Sequence, residues 1–97
     1  MAIVYTEHLK LRLRIRKIPY EYPRKIFSSP EQIYYDNLEE NFIAIKKLRY
    51  NQKQRNMMIA YKRNNENIEI ITIHPMNDEK IVNRVLSGRW MQNEQKV

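Results

Sequence analysis

Histidine and arginine side chains recur near the N terminus at a spacing of four residues. His8, Arg12 and Arg16 occupy positions i, i+4 and i+8, and on an α-helix residues at this spacing share one face. Arginine binds phosphate through paired hydrogen bonds, so Arg12 and Arg16 are candidates for holding a phosphate group. The alternative is that they form ion pairs with Asp36, Glu69 or another acid.

The second histidine, His74, stands directly before Pro75 at the end of a β-branched segment. Pro75 cannot donate to a β-ladder and favours an extended His74, which leaves an imidazole at the carboxyl end of a strand. His74 is a candidate general base at neutral pH, and His8 across a cleft would give an acid and a base. The alternative is a structural hydrogen-bonding role. Two histidines without paired carboxylates predict no metal site and no cofactor.

A further basic segment contains a tyrosine that would stack on a base while its neighbours follow a nucleic-acid backbone. Its members are Lys46, Lys47, Arg49, Tyr50, Lys53 and Arg55. The alternative for them is a solvated hairpin tip. Tyr61, Arg84 and Arg89 are secondary candidates for nucleic-acid contact, whereas Trp90 is expected in the core or at an interface.

The element that must carry His8, Arg12 and Arg16 has an ambiguous pattern. Apolar and basic residues alternate strictly from Leu9 to Arg16, which is typical of a basic edge strand. However, Thr6 is a good helix start and Pro19 a good stop. We therefore predict a helix over residues 7–17, with a basic edge strand as the alternative.

The remaining pattern predicts helices and strands in separate blocks. A short second helix spans residues 19–28, strands cover 33–36, 42–50, 57–63 and 67–75, and a last helix starts near Asn77 and ends before Gly88. Turns of hairpin length join the strands. We predict an α+β fold: two N-terminal helices, a four-stranded, mainly antiparallel sheet with residues 67–75 in its middle, and a C-terminal helix.

Length and composition limit the function classes. The 97 residues make a single domain, with an ordered core expected over about residues 5–90, and the lack of cysteine excludes disulfides and thiolate chemistry. No leader or membrane-spanning segment is recognisable, which predicts a cytoplasmic protein without a membrane partner. The net charge of +7 is concentrated in residues 1–30, which carry a net +5. This asymmetry fits a phosphate-rich partner, RNA or DNA, and equally an acidic protein. The alternative is a solvated basic surface with no dedicated partner.

Three stretches together resemble a known family. The row of His8, Arg12 and Arg16 before Ile18-Pro19, then residues 30–33 (Pro-Glu-Gln-Ile), then a strand ending in residues 70–75 (Ile-Ile-Thr-Ile-His-Pro), resembles the family called domain of unknown function 4258. The resemblance covers roughly residues 5–90. That family is similar to the RelE and BrnT toxins in its helix-helix-sheet plan, which implies a basic surface presented to RNA.

RelE-like toxins cleave messenger RNA without a metal ion: basic side chains hold the phosphate while a 2′-hydroxyl attacks it. The resemblance therefore implies a small endoribonuclease of toxin–antitoxin type, with an acidic antitoxin-like protein as a partner. No complete catalytic set of that group is matched by this sequence. The competing hypothesis is a noncatalytic module that binds nucleic acid or protein, which needs only the positive field.

Overall fold

The computed structural model describes residues 1–92 and contains a single sheet flanked by helices. Its elements are β1 (Ile3–Tyr5), α1 (Glu7–Arg16), α2 (Tyr22–Ser28), β2 (Gln32–Asp36), β3 (Asn41–Tyr50), β4 (Lys53–Asn64), β5 (Asn67–Pro75), α3 (Asp78–Leu86) and β6 (Trp90–Gln92). Within these residues, none of the helices is both long and apolar enough to cross a membrane.

The predicted fold, two N-terminal helices before a four-stranded, mainly antiparallel sheet, is wrong. The chain begins with a strand, and six strands form a mixed sheet in the order β1-β5-β4-β3-β2-β6. β1 runs parallel to β5, and β6 runs antiparallel to β2. Both added strands have three residues, too few for a periodic signal. β5 is not the middle strand that was predicted, because the hairpins place the four long strands in the order β5-β4-β3-β2 and only β1 covers the outer side of β5.

Helix α1 (Glu7–Arg16) confirms the helix predicted over residues 7–17 and is one residue shorter. The Thr6 hydroxyl accepts a hydrogen bond from the amide of Leu9 at 3.1 Å, and Lys17 ends the helix in the left-handed region. Leu9 and Leu13 are buried, whereas Leu11 is 44% exposed and Ile15 64% exposed. The helix therefore buries one narrow apolar stripe, which its alternating sequence conceals.

The sheet has an apolar cluster on each face. Leu9 and Leu13 of α1 and Ile26 of α2 pack in the first cluster with residues of β3, β4 and β5. The second cluster contains Ile81 of α3 and Trp90. Burial of apolar side chains on both faces stabilises the sheet and leaves its strand ends and edges available to polar groups.

A β-bulge interrupts β5 at Ile71. Ala60 pairs with Thr72 while the next residue, Tyr61, pairs with Ile70, so Ile71 is an extra residue on this strand. The Thr6 hydroxyl lies 3.2 Å from the carbonyl oxygens of both Ile70 and Ile71, which ties the start of α1 to the bulge. The bulge thus lies at the point where β1 ends and α1 begins to lie beside β5.

Candidate nucleic-acid interface

A cleft of about 450 Å³ lies between α1, the sheet and α3. It brings together six of the side chains singled out in the sequence: His8, Arg12, Arg16, His74, Arg84 and Arg89. They come from α1, the end of β5, α3 and the turn before β6, positions distant in the chain. The predicted row on α1 and the predicted histidine at the strand end therefore share one site.

The bulge places Ile70 and Ile73 on the same face of β5, although they are an odd number of positions apart. Ile70 and Ile73, three positions apart, both belong to the cluster packed under α1 and α2. In a regular strand, residues of one face are separated by even numbers of positions, so the extra Ile71 restores Ile73 to the core face. Because His74 follows Ile73, it is directed to the opposite face, where it lines the cleft half-buried.

The protonation state of His74 follows from its surroundings. Its Nδ1 lies 3.1 Å from the carbonyl oxygen of Pro75; a carbonyl only accepts, so Nδ1 carries a proton and Nε2 of the neutral ring is a proton acceptor. Burial lowers the pKa of His74, the bond to Pro75 opposes this, and the positive charges of Arg16, Lys80 and Arg12 lower the pKa further. The imidazole is therefore neutral, and able to take up a proton, at neutral pH.

Arg12 and Arg16 make no ion pairs within residues 1–92. Neither guanidinium has a carboxylate oxygen within 4.0 Å in this part of the chain, and the predicted alternative acids are otherwise engaged: Asp36 binds Arg89, and Glu69 accepts from Asn64. The two arginines thus bring positive charge to the cleft without a carboxylate to balance it, which favours an anionic ligand.

Arg89 is committed to a structural network. Its Nε and Nη2 donate to the two carboxylate oxygens of Asp36, both at 3.0 Å, and the indole Nε1 of Trp90 donates to Oδ2 of Asp36 at 3.2 Å. Burial by itself raises the pKa of Asp36, but the hydrogen bonds from Arg89, from the amides of Glu39 and Leu38, and from Trp90 lower it overall. Arg89 lines the cleft with its charge already neutralised. Trp90, 2% exposed, is confirmed as a core residue.

Two side chains of this cleft, Asn41 and Arg84, have little or no functional signal in the sequence. Asn41 at the start of β3 carries no motif, and Arg84 of α3 was only a secondary candidate. Each has a buried polar atom without a hydrogen-bond partner, Oδ1 of Asn41 and Nε of Arg84. No sequence signal would have found Asn41, because its position depends on strand register.

The basic hairpin of β3 and β4 does not form one continuous surface. Lys46 donates to the carbonyl of Ser29 at 3.1 Å, and the Tyr50 hydroxyl donates to the carbonyl of Arg16 at 2.7 Å, so both side chains are held on the face covered by the helices α1 and α2. Lys47 and Arg49 alternate with them and project from the other face. Tyr50 is therefore not placed to stack on a base in the cleft.

A second depression, of about 480 Å³, continues from the cleft. Lys47, Lys53 and Arg55 of the hairpin line it, and Met76 lines both depressions. Three of the predicted hairpin cations are thus next to the cleft, while Lys46 and Arg49 line neither depression.

Tyr61 is not available for nucleic-acid contact. It is 4% exposed in the core, and its ring contacts Phe27 and Phe42. Burial raises the pKa of its hydroxyl, with the charge of Arg63 opposing this. The sequence suggests Tyr61 as a secondary candidate because it lies on the strand next to the basic segment, but strand alternation directs its side chain into the core.

Residues 1–92 contain no group of three or more His, Cys, Asp or Glu side chains arranged to hold a metal ion. No protein-family model, curated protein or solved structure matches the chain.

Proposed function

We propose that the protein binds single-stranded RNA in the cleft and cleaves it by attack of a ribose 2′-hydroxyl on the adjacent phosphate, without a metal ion. The main support for the proposal is the position of His74 in the cleft. A neutral imidazole whose Nε2 accepts a proton lines the same cleft as Arg12 and Arg16, which lack carboxylate partners within residues 1–92.

The binding step rests on uncompensated charge. Arg12 and Arg16 contribute two positive charges at the α1 end of the cleft, and a phosphodiester would supply the acceptor oxygens that they lack. Lys47, Lys53 and Arg55 in the neighbouring depression would hold the phosphates that follow along the strand. DNA would meet the same charges but lacks the attacking hydroxyl, so we expect DNA to be bound and left intact.

The chemical step needs one proton acceptor and one charge stabiliser. Nε2 of His74 takes the proton of the 2′-hydroxyl while the bond from O2′ to phosphorus forms and the bond from phosphorus to O5′ breaks. Arg12 stabilises the negative charge that grows on the phosphate oxygens. The departing O5′ takes a proton from water, and the products carry a 2′,3′-cyclic phosphate and a 5′-hydroxyl.

An enzyme of this kind would act on messenger RNA in the cytoplasm, like the toxins that the sequence resembles. An acidic antitoxin-like protein would inhibit it by covering the cleft arginines. Both statements extend the proposal to the biological setting and depend on the cleavage activity itself.

A noncatalytic RNA-binding module is the second candidate, and one observation favours it. Nε of Arg12 donates to Nε2 of His8 at 3.3 Å, so that this atom of His8 is engaged as an acceptor. The predicted acid partner for His74 is therefore not positioned to protonate a leaving group. Binding by the arginines would persist without any chemistry.

A cleavage assay in the presence of EDTA decides between the two. We expect the wild-type protein to cut single-stranded RNA and to leave DNA of the same sequence intact. His74→Ala, shown folded by circular dichroism, should lose about 10²- to 10⁴-fold in rate while its affinity for RNA changes little. Wild-type protein that binds RNA but never cuts it, with or without ribosomes, would establish the binding module instead.

A further inference from the structure

Two of the orphaned polar atoms in the described residues belong to side chains that line the same cleft. Within residues 1–92, the buried side-chain atoms without a hydrogen-bond partner are Oδ1 of Asn41, Oδ1 of Asn56 and Nε of Arg84. Asn41 and Arg84 both line the cleft. Buried polar atoms without partners are uncommon in folded proteins because they forfeit their hydrogen bonds to water. An acceptor and a donor without partners, on two side chains that line one cleft, favour a ligand that supplies both partners.

The two atoms lie toward the α3 end of the cleft. Strand register pairs Asp36 with Asn41 on one side and with Trp90 on the other, so these residues form a row across β3, β2 and β6. The guanidinium carbon of Arg84 lies 5.9 Å from the centre of the Trp90 ring. Asn41 and Arg84 therefore flank the Asp36 network, whereas Arg12 and Arg16 belong to the opposite wall, α1.

The charge at the α3 end differs from that at the α1 end. Asp36 and Arg89 neutralise each other. Glu39 and Arg84 also line the cleft, and neither makes an ion pair within residues 1–92, so their opposite charges leave this end close to neutral. The α1 end, with Arg12 and Arg16, carries two positive charges. The α3 end thus suits an uncharged polar group better than a second phosphate.

A nucleobase has the required chemistry. Its edge presents hydrogen-bond donors beside acceptors, whereas a phosphate presents acceptors alone and would leave Oδ1 of Asn41 without a partner. Arginine planes and amide side chains commonly bind the unstacked bases of single-stranded RNA. We infer that the α3 end of the cleft binds a nucleobase next to the cleaved phosphate, with Asn41 accepting from it and Arg84 donating to it. The inference rests on the proposed function, because it assigns one further group of the same RNA.

The single tryptophan of the chain provides the measurement. Trp90 lies beside Arg84, so its fluorescence should change when this end of the cleft is filled. We would titrate the protein with each of the four ribonucleoside 5′-monophosphates and, separately, with ribose 5-phosphate. We expect at least one nucleotide to give a saturable change at a concentration at least 10-fold lower than ribose 5-phosphate, which has the sugar and phosphate but no base.

Asn41→Leu tests the acceptor directly. The variant should bind the preferred nucleotide about 5- to 10-fold more weakly, the effect of one lost hydrogen bond, with unchanged affinity for ribose 5-phosphate. It should also unfold at the same or a higher temperature, because the amide oxygen that it removes has no partner in the protein. Asn83→Leu is the matched control, since Asn83 is exposed on α3 and does not line the cleft. Arg84→Gln provides a second variant and should weaken nucleotide binding as well.

The outcomes separate this inference from the proposed cleavage. Two results would overturn the base site and leave the proposed RNA cleavage untouched. One is equal affinity for ribose 5-phosphate and for the nucleotides. The other is no change in Trp90 fluorescence with any nucleotide up to about 10 mM, a concentration above which binding would be too weak for recognition. Unchanged nucleotide affinity in both Asn41→Leu and Arg84→Gln would also overturn the base site. Nucleotide binding that depends on both residues in a protein that never cuts RNA would support the base site and refute the cleavage.

Discussion

Arg12 and His8 are hydrogen-bonded across one turn of α1, with Nε of the guanidinium 3.3 Å from Nε2 of the imidazole. Because Nε2 of His8 accepts this hydrogen bond, His8 positions the guanidinium of Arg12 and cannot donate a proton from Nε2. We predict that His8→Ala slows RNA cleavage by about 10-fold or less, through looser positioning of Arg12, and that the pH profile keeps its shape. Loss of an alkaline limb of the profile in His8→Ala would show instead that His8 is the general acid.

The lowered pKa of His74 sets the pH dependence of cleavage. A base works only when unprotonated, so the rate should rise with pH through the pKa of His74 and stay level above it. Because burial and the charges of Arg16, Lys80 and Arg12 lower that pKa, the midpoint should lie below about 6.5, the usual value for histidine. Values of kcat/KM between about pH 4.5 and 8, whose pH dependence reports the free protein, would measure it. A midpoint above the usual value would contradict the assignment.

Two arginines on the same helix provide a matched pair for binding. Arg12 lines the cleft, whereas Arg14 is exposed and lines a different depression with Lys10 and Tyr20. Arg12→Ala should weaken RNA binding and slow cleavage, and it should reduce the slope of log K against log salt by about 0.7, the value for one phosphate contact on a single strand. Arg14→Ala removes an equal charge and should leave the slope nearly unchanged. Equal effects of the two substitutions would indicate a diffuse positive field.

Adjacent lysines test the path of the strand beyond the cleft. Lys47 lines the depression next to the cleft, whereas the ammonium of Lys46 bonds to the carbonyl of Ser29 on the other face. Lys47→Ala should weaken binding of an oligonucleotide of about twelve residues by roughly fivefold and leave dinucleotide binding unchanged. Lys46→Ala should change neither. A larger effect of Lys46→Ala would place the strand on the helix-covered face.

Asp36 is predicted to govern stability more than activity. It is 2% exposed and accepts from Arg89, Trp90 and the amides of Leu38 and Glu39. Asp36→Asn should lower the free energy of unfolding by roughly 3 kcal/mol, the low end for breaking a buried ion pair, because Arg89 remains a quarter exposed. Urea unfolding would measure the change, with exposed Glu39→Gln as the control. A loss below about 0.5 kcal/mol would contradict the role of the pair.

The same carboxylate predicts the direction of the acid response. The folded pKa of Asp36 is lowered, so its contribution to stability is complete above the unfolded pKa of about 3.9 and is lost as the pH falls through the folded value. Asp36→Asn should therefore unfold with a weaker dependence on pH below about 4 than the wild type.

Local signals in the sequence predicted those elements whose boundaries are set by local chemistry. Thr6 predicted α1 despite the alternating pattern, and it caps the helix by accepting a hydrogen bond from the amide of Leu9. Asn77 caps α3 by accepting one from the amide of Lys80 at 2.8 Å. The turn between β3 and β4 was harder to predict. Asn51 and Gln52 both adopt positive φ angles, and a glutamine in the sequence does not indicate a positive φ. This tight turn extends β4 back to Lys53, within the segment expected to be a loop.

What the sequence could not predict depends on contacts between distant segments. The strands β1 and β6 exist only because β5 and β2 offer them edges. The pairing of Asp36 with Arg89, 53 positions later, removed one candidate cation from the site. His74 and the row on α1 could be named from residue type and spacing, whereas Asn41 could not, because only strand register brings it to Arg84 and Trp90.

The bulge at Ile71 bears on how this chain should be aligned with any other. Ile71 is an extra residue on β5. The side chains of residues 72–75 alternate regularly between the two faces of the sheet, because these residues pair with β4 without interruption up to Pro75. A homologue with one residue fewer at this point would form a regular strand and still direct the histidine into the cleft. A gap at position 71 would therefore be no sign of a lost site. Sequences should therefore be aligned at His74-Pro75 first, and the positions of β5 should be numbered from there toward the N terminus.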